Sequence, residues 1–165
     1  MSLSHIIATF GLVGHLRPAP GTWGSFAALV VGYLIHLAFG PLGLAFGVVI
    51  SFGLGLWATG RETAGKDDHD PSEIVIDEVA GQWIALLPVS IGATHAAASL
   101  QALWPGLLAA FLLFRLFDIL KPGPVGWADR RGDPMGVMLD DVIAGLFAAI
   151  GVLIFAYISH GVLGL

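Results

Sequence analysis

Three stretches of this chain, residues 24–60, 79–114 and 142–165, contain no Asp, Glu, Lys or Arg. A helix crossing the hydrocarbon core of a bilayer needs about 20 mostly apolar residues. The first two stretches are each long enough for a helical hairpin, and the third for one span. The competing reading is a water-soluble helical domain, but a chain of this size cannot hide so much apolar surface from water. Apolar residues make up 56% of the chain and charged residues 12%, with a mean hydropathy of +0.86. Soluble domains carry roughly 25% charged residues. The expected fold is therefore all-α: one domain over residues 1–165, an integral membrane protein of about five spans plus a short N-terminal helix.

Taken in order, residues 3–13 are apolar but too short to span, and read as an interfacial or re-entrant helix. The segment lacks a basic leader, so no removable signal peptide is expected. Pro18, Pro20, Gly21 and Gly24 mark a loop, after which Thr22 or Ser25 can cap a helix beginning near Phe26. A hairpin turning at residues 40–43 (GPLG) runs to about Gly60. Pro71 and Ser72 are expected to open the next helix, with Glu73 in its first turn. A third span covers Val79 to about Ser99, QALWPG turns the chain back, and a fourth covers about Leu107 to Leu120. Lys121-Pro122 stops that helix. A loop rich in Gly and Pro leads to Asp140-Asp141, which open a last span toward Tyr157 or beyond.

The charges are as confined as the apolar segments. Residues 114–141 hold nine of the nineteen, residues 61–78 hold nine more, and Arg17 is the last. With an even number of crossings between them, these clusters and all seven Lys and Arg fall on one side of the bilayer. The positive-inside rule makes that side the cytoplasm, leaving the C-terminus outside. Cysteine is absent, which excludes disulfides and thiolate metal sites. The net charge of −5 gives no footprint for nucleic acid, and no feature signals an oligomeric state.

Carboxylates at a bilayer edge are costly and point to function or to structural pairing. Glu73 and Asp77 are spaced to share a helix face, as are Arg115, Asp118 and Lys121. Asp140 and Asp141 suit a helix N-terminus. Carboxylates gathered with few counter-cations invite a hard divalent metal such as Mg²⁺, which takes oxygen ligands and a substrate phosphate. Arg115, Lys121, Arg130 and Arg131 can complement phosphate oxygens, and the PGTWGS segment can present backbone amides to an anion. Taken singly, each has a structural explanation: an ion pair for Arg115 and Asp118, dipole stabilisation for Asp140-Asp141, a common turn for PGTWGS. Together on one face they suggest metal-assisted phosphoryl chemistry at a membrane surface.

Three blocks carry a further signal: PGTWGS (20–25), HDPSEIVIDEVAGQWIAL (69–86) and FRLFDILKPGPVGWADRRGDPMGVMLDDVIAG (114–145). In this order they resemble the signature blocks of the phosphatidylglycerophosphatase A family. The resemblance implies a bacterial inner-membrane, Mg²⁺-requiring phosphatase. Its substrate would be phosphatidylglycerophosphate, a membrane phospholipid, and its product phosphatidylglycerol. Its motif positions fall on Asp70, Asp77, Glu78, Arg115, Asp118, Lys121, Asp129, Arg130, Asp140 and Asp141. One departure is Asp133-Pro134-Met135, where the family pattern leads one to expect a Gly-Gly pair. The working assignment gives Asp77, Glu78, Asp140 and Asp141 the Mg²⁺, with Asp118 and Asp70 as further candidates. Arg115, Lys121 and Arg130 grip the phosphomonoester, and Thr22 and Ser25 belong to its binding loop. Asp70, Asp77, Arg115, Asp118 and Lys121 form the catalytic set, with direct attack by water. Two alternatives stand: a phosphatase for another lipid or isoprenoid phosphate, and a small ion-coupled transporter.

Overall fold

The computed structural model describes residues 2–159, and these residues form an all-helical bundle. Its helices are α1 (Leu3–Ala8), α2 (Pro20–Glu62), α3 (Ile76–His95), α4 (Trp104–Leu120), α5 (Pro124–Asp129) and α6 (Pro134–Tyr157). Continuation of the last helix past Ser159, His160 and the C-terminal end lie outside the described residues.

α2 is a hairpin in which both arms are helical. Gly40 adopts φ 65° and ψ −162° ahead of Pro41, a left-handed backbone that glycine alone takes at little cost. The arms 20–39 and 41–62 fold back on each other, so Gly32 and Gly47 both lie against the indole of Trp83 on α3. That indole donates its N–H to the Ala28 carbonyl at 2.7 Å, which satisfies the one polar atom of a buried ring.

α3 is the centre of the bundle, packed by α2, α4 and α6. Small residues let the backbones meet. A Cβ on Gly81 would lie 2.5 Å from the Asp141 carbonyl oxygen and would also strike the Phe114 ring, while one on Gly145 would strike the Gly81 carbonyl. Phe114 is fully buried there. This contact fixes the start of α3 beside the second turn of α6.

Among the described residues, three helices are long and apolar enough to cross a membrane: Pro20–Glu62, Leu100–Leu120 and Pro134–Tyr157. That is fewer than the five spans expected. The first two expected spans are one helical segment bent at Gly40. The expected third, α3, is less apolar because it opens on Asp77 and Glu78 and carries Gln82, all tolerable in a helix that its neighbours cover.

Four boundaries also differ from expectation. α1 ends at Ala8, and a separate 3₁₀ turn covers Val13–His15. α2 begins at Pro20 rather than near Phe26, because proline lacks the N–H that the first helical position would leave unused. Neither Thr22 nor Ser25 caps it. α3 begins at Ile76, not at Pro71 or Ser72. The Val75 N–H donates to the Ala8 carbonyl at 2.9 Å and that of Ile74 to Pro71, which holds residues 71–75 out of helix. Glu73 therefore shares no helix face with Asp77. The loop after Lys121 contains α5, and α6 starts at Pro134. Asp133 caps it, accepting the Gly136 N–H at 2.6 Å, so Asp140 and Asp141 sit in the second turn rather than at the N-terminus.

Candidate active site

Both charge clusters meet in a cavity of about 280 Å³ at one end of the bundle. The first turn of α2 contributes Pro20 and Gly21. The loop before α3 contributes Asp70, Ser72 and Ile74, and the first turn of α3 Asp77 and Glu78. The end of α4 supplies Arg115, Asp118 and Ile119, with Lys121 just beyond it; α6 supplies Asp140 and Asp141.

Asp77, Asp140 and Asp141 are 7%, 4% and 2% exposed. Two carboxylate triads form, Asp77–Glu78–Asp141 and Asp118–Asp140–Asp141, each with one oxygen per residue all within 4.8 Å of one another. Asp141 belongs to both. Asp77 Oδ1, Glu78 Oε2 and Asp141 Oδ2 are buried and accept no hydrogen bond among the described residues. Burying a charge without a partner is costly, and three such oxygens together are the donor set a hard divalent cation takes. The residues fit Mg²⁺.

Two cations, Arg115 and Lys121, offset part of this negative charge. Arg115 Nη1 lies 2.5 Å from Asp118 Oδ2 and 3.9 Å from Glu78 Oε1, and donates to Ser25 Oγ at 3.3 Å. Lys121 donates to Asp140 Oδ2 at 2.8 Å and to Asp129. Burial works against the ammonium charge, but these bonds outweigh it and raise the Lys121 pKa, so it stays protonated. Its left-handed backbone (φ 45°) caps α4 and turns the chain toward α5. Asp70 keeps solvent contact at the rim. The surrounding protein still desolvates its carboxyl and pushes it above the usual value, with the Lys121 charge opposing.

Other expected binding residues lie elsewhere. Arg130 is exposed at the end of α5, outside the cavity wall. Thr22 does not line the cavity. Ser25 is buried beneath it, donating to the Gly21 carbonyl at 2.8 Å and accepting from Arg115. Gly21 was legible only as a turn residue, yet any side chain there would run into Glu78 Oε1 and the Arg115 guanidinium. Gln82, one turn beyond Glu78, is fully buried, and neither amide atom is hydrogen-bonded among the described residues. A lone Gln in an apolar run was its one sequence signal.

A sequence model of the family described as phosphatidylglycerophosphatase A matches residues 6–156. The chain belongs to the phosphatidylglycerophosphatase A family. It is 36% identical to a phosphatidylglycerophosphatase A of Haemophilus influenzae over 93% of this chain and 88% of that protein. It is 34% identical to one of Escherichia coli over 92% and 81%. A Bacteroides thetaiotaomicron protein, provisionally named a phosphatidylinositol-3-phosphatase, is 34% identical over 80% of each chain. No solved structure matches. The three sequence blocks that resemble the phosphatidylglycerophosphatase A family are the segments that wall this cavity, contributed by α2, α3, α4 and α6 and the loops beside them.

Proposed function

We propose that this chain is a Mg²⁺-dependent phosphatase in phospholipid biosynthesis, removing the terminal phosphate of phosphatidylglycerophosphate at the cytoplasmic face of a bacterial inner membrane. The observation that carries this reading is the pair of largely buried carboxylate triads sharing Asp141, beside Arg115, at one end of an apolar bundle. The named activity of the Haemophilus and Escherichia relatives supports the substrate.

Mg²⁺, held by Asp77, Glu78 and Asp141 with Asp118 and Asp140 adjoining, would supply Lewis-acid polarisation of the phosphoryl group and lower the pKa of water. The chain's own groups do the rest. Arg115 and Lys121 face the cavity with fixed positive charge, which complements the phosphoryl oxygens as charge develops on them. Ser25 and Asp118 orient the Arg115 fork. The Gly21 amide, in a first helical turn that leaves its N–H groups without intrahelical partners, extends that anion site. Water adds to phosphorus as the bond to the glycerol oxygen breaks. Asp70, whose carboxyl titrates above the usual carboxylate range, accepts the water proton and returns one to the departing alkoxide.

Phosphate release from phosphatidylglycerophosphate by the purified protein in detergent tests this. Release should require Mg²⁺, cease with EDTA, and vanish in Asp77→Ala. A folded protein that releases none overturns the substrate assignment. The Bacteroides relative keeps a second reading in view, a phosphatase for another lipid phosphate, and the same assay on a phosphoinositide discriminates the two. A transporter would need its charged groups near mid-membrane, whereas here they gather at one end of the bundle.

A further inference from the structure

The cavity is not polar all round. Ile119 forms part of its wall beside Arg115 and Asp118 and is itself 65% exposed on the outer surface of α4. It therefore belongs both to the site and to the lipid-directed face. From it an apolar stripe continues up α4 through Leu116 and Leu112, both exposed, at the helical spacing that keeps side chains on one face. The first arm of α2 runs alongside, and Phe26 meets Phe111 of α4 edge to face at 6.5 Å. Near the cavity Gly21 of α2, which carries no side chain, lies against the Arg115 guanidinium.

Volume decides what such a site can enclose. About 280 Å³ lies just below the roughly 300–1,000 Å³ of pockets that enclose a drug-sized ligand. A phosphorylated headgroup fits, and two acyl chains do not. The chains of any lipid substrate must lie outside, and the exposed apolar surface continuous with the cavity is the Ile119 stripe.

We propose that Ile119 is a specificity-determining residue: the sill over which a lipid phosphomonoester enters sideways from the bilayer, its headgroup in the cavity and its acyl chains along Leu116 and Leu112. This rests on the phosphatase reading above and adds to it how chain-bearing substrates are told from soluble phosphomonoesters. The apolar contact contributes to binding only when the substrate carries chains, so its loss raises KM for long-chain substrate selectively.

The test compares long-chain phosphatidylglycerophosphate in mixed micelles with its water-soluble deacylated headgroup. In Ile119→Asn the ratio of kcat/KM for long-chain to deacylated substrate should fall about tenfold or more, mainly through KM, and Ile119→Leu should restore it. A ratio within about twofold of wild type in Ile119→Asn overturns the proposal. Because the chain has no cysteine, Ile119→Cys offers a second route that bypasses folding. The purified, folded variant is assayed before and after alkylation with N-ethylmaleimide. Alkylation should depress the long-chain rate several-fold more than the headgroup rate; equal effects on both overturn the proposal. A wild-type protein that hydrolyses neither substrate instead removes the phosphatase reading itself.

Discussion

The Cα of Gly21 on α2 sits so close to Glu78 on α3 that a methyl group there would collide with Glu78 Oε1, and would lie 3.2 Å from both terminal nitrogens of Arg115. Backbone, carboxylate and guanidinium are thus packed without room for one more carbon.

Gly21→Ala is therefore expected to displace Glu78 and Arg115 together. Misplacing catalytic groups by about 1 Å costs roughly 100-fold in rate, so phosphate release should fall by one to two orders of magnitude. Gly53→Ala, on the same helix with nothing within 4 Å, should leave release unchanged. Equal activity in the two variants would refute the close-packing account.

Asp141 links both triads, and its Oδ2 is buried without a partner among the described residues. Asp141→Asn keeps the shape and removes one of several crowded negative charges. In EDTA the variant should melt higher than wild type, because like charges in a shared site repel. Added Mg²⁺ should then raise the wild-type Tm but not the variant's. A cation present at a hundred times its Kd stabilises the form that binds it by about 2.7 kcal/mol. Activity should fall about 10- to 100-fold or more. Thermal unfolding in detergent, with Mg²⁺ and with EDTA, reads the first two effects; a variant that still gains Tm from Mg²⁺ would exclude Asp141 as a ligand.

Asp70 sits at the cavity rim, where desolvation by the surrounding protein raises its carboxyl pKa. A base acts only when ionised, so the rate should drop as pH falls through that raised value, above the ordinary Asp pKa of about 3.9. Asp70→Asn should be slow at every pH and should lack this acid limb. If its pH–rate profile keeps the wild-type limb, another group is the base.

Asp133 is shifted the other way. Its hydrogen bond from Arg131 lowers its pKa, and the Gly136 N–H adds to this. A carboxylate depressed on folding contributes stability above its unfolded pKa, and that contribution is lost as pH falls through the lower folded value. Asparagine also caps helices but does not titrate. Asp133→Asn should melt slightly lower than wild type near neutral pH, where the ionised carboxylate contributes, and lose less Tm than wild type on acidification below about pH 4. Identical melting curves down to pH 3 would mean that this cap does not couple to the stability of α6.

The Asp133 cap also marks where reading the chain fell short. Asp followed by Pro is a helix start, and it lay in the segment that departs from the family pattern. Asp140-Asp141, next to a long apolar run, drew the helix start forward by six residues. The same misreading operated at Pro20, where glycines suggested a turn although they serve close approach to α3. It operated in reverse at Pro71, where a plausible cap was overruled by the bond from Val75 to Ala8.

The sequence by itself determined that the chain is helical and apolar, that its charges lie in two confined segments, and which family its motif blocks resemble. Those properties depend on residue type and order along the chain. The tertiary structure alone decided that α3 is the covered central helix, that Asp141 is common to two triads, that Arg130 stands outside the cavity, and that Ile119 faces both site and surface. Each of these depends on distances between helices, set here by backbones that approach where Gly81 and Gly145 carry no side chain. Contacts between residues so far apart in the chain leave no periodicity from which they could be read.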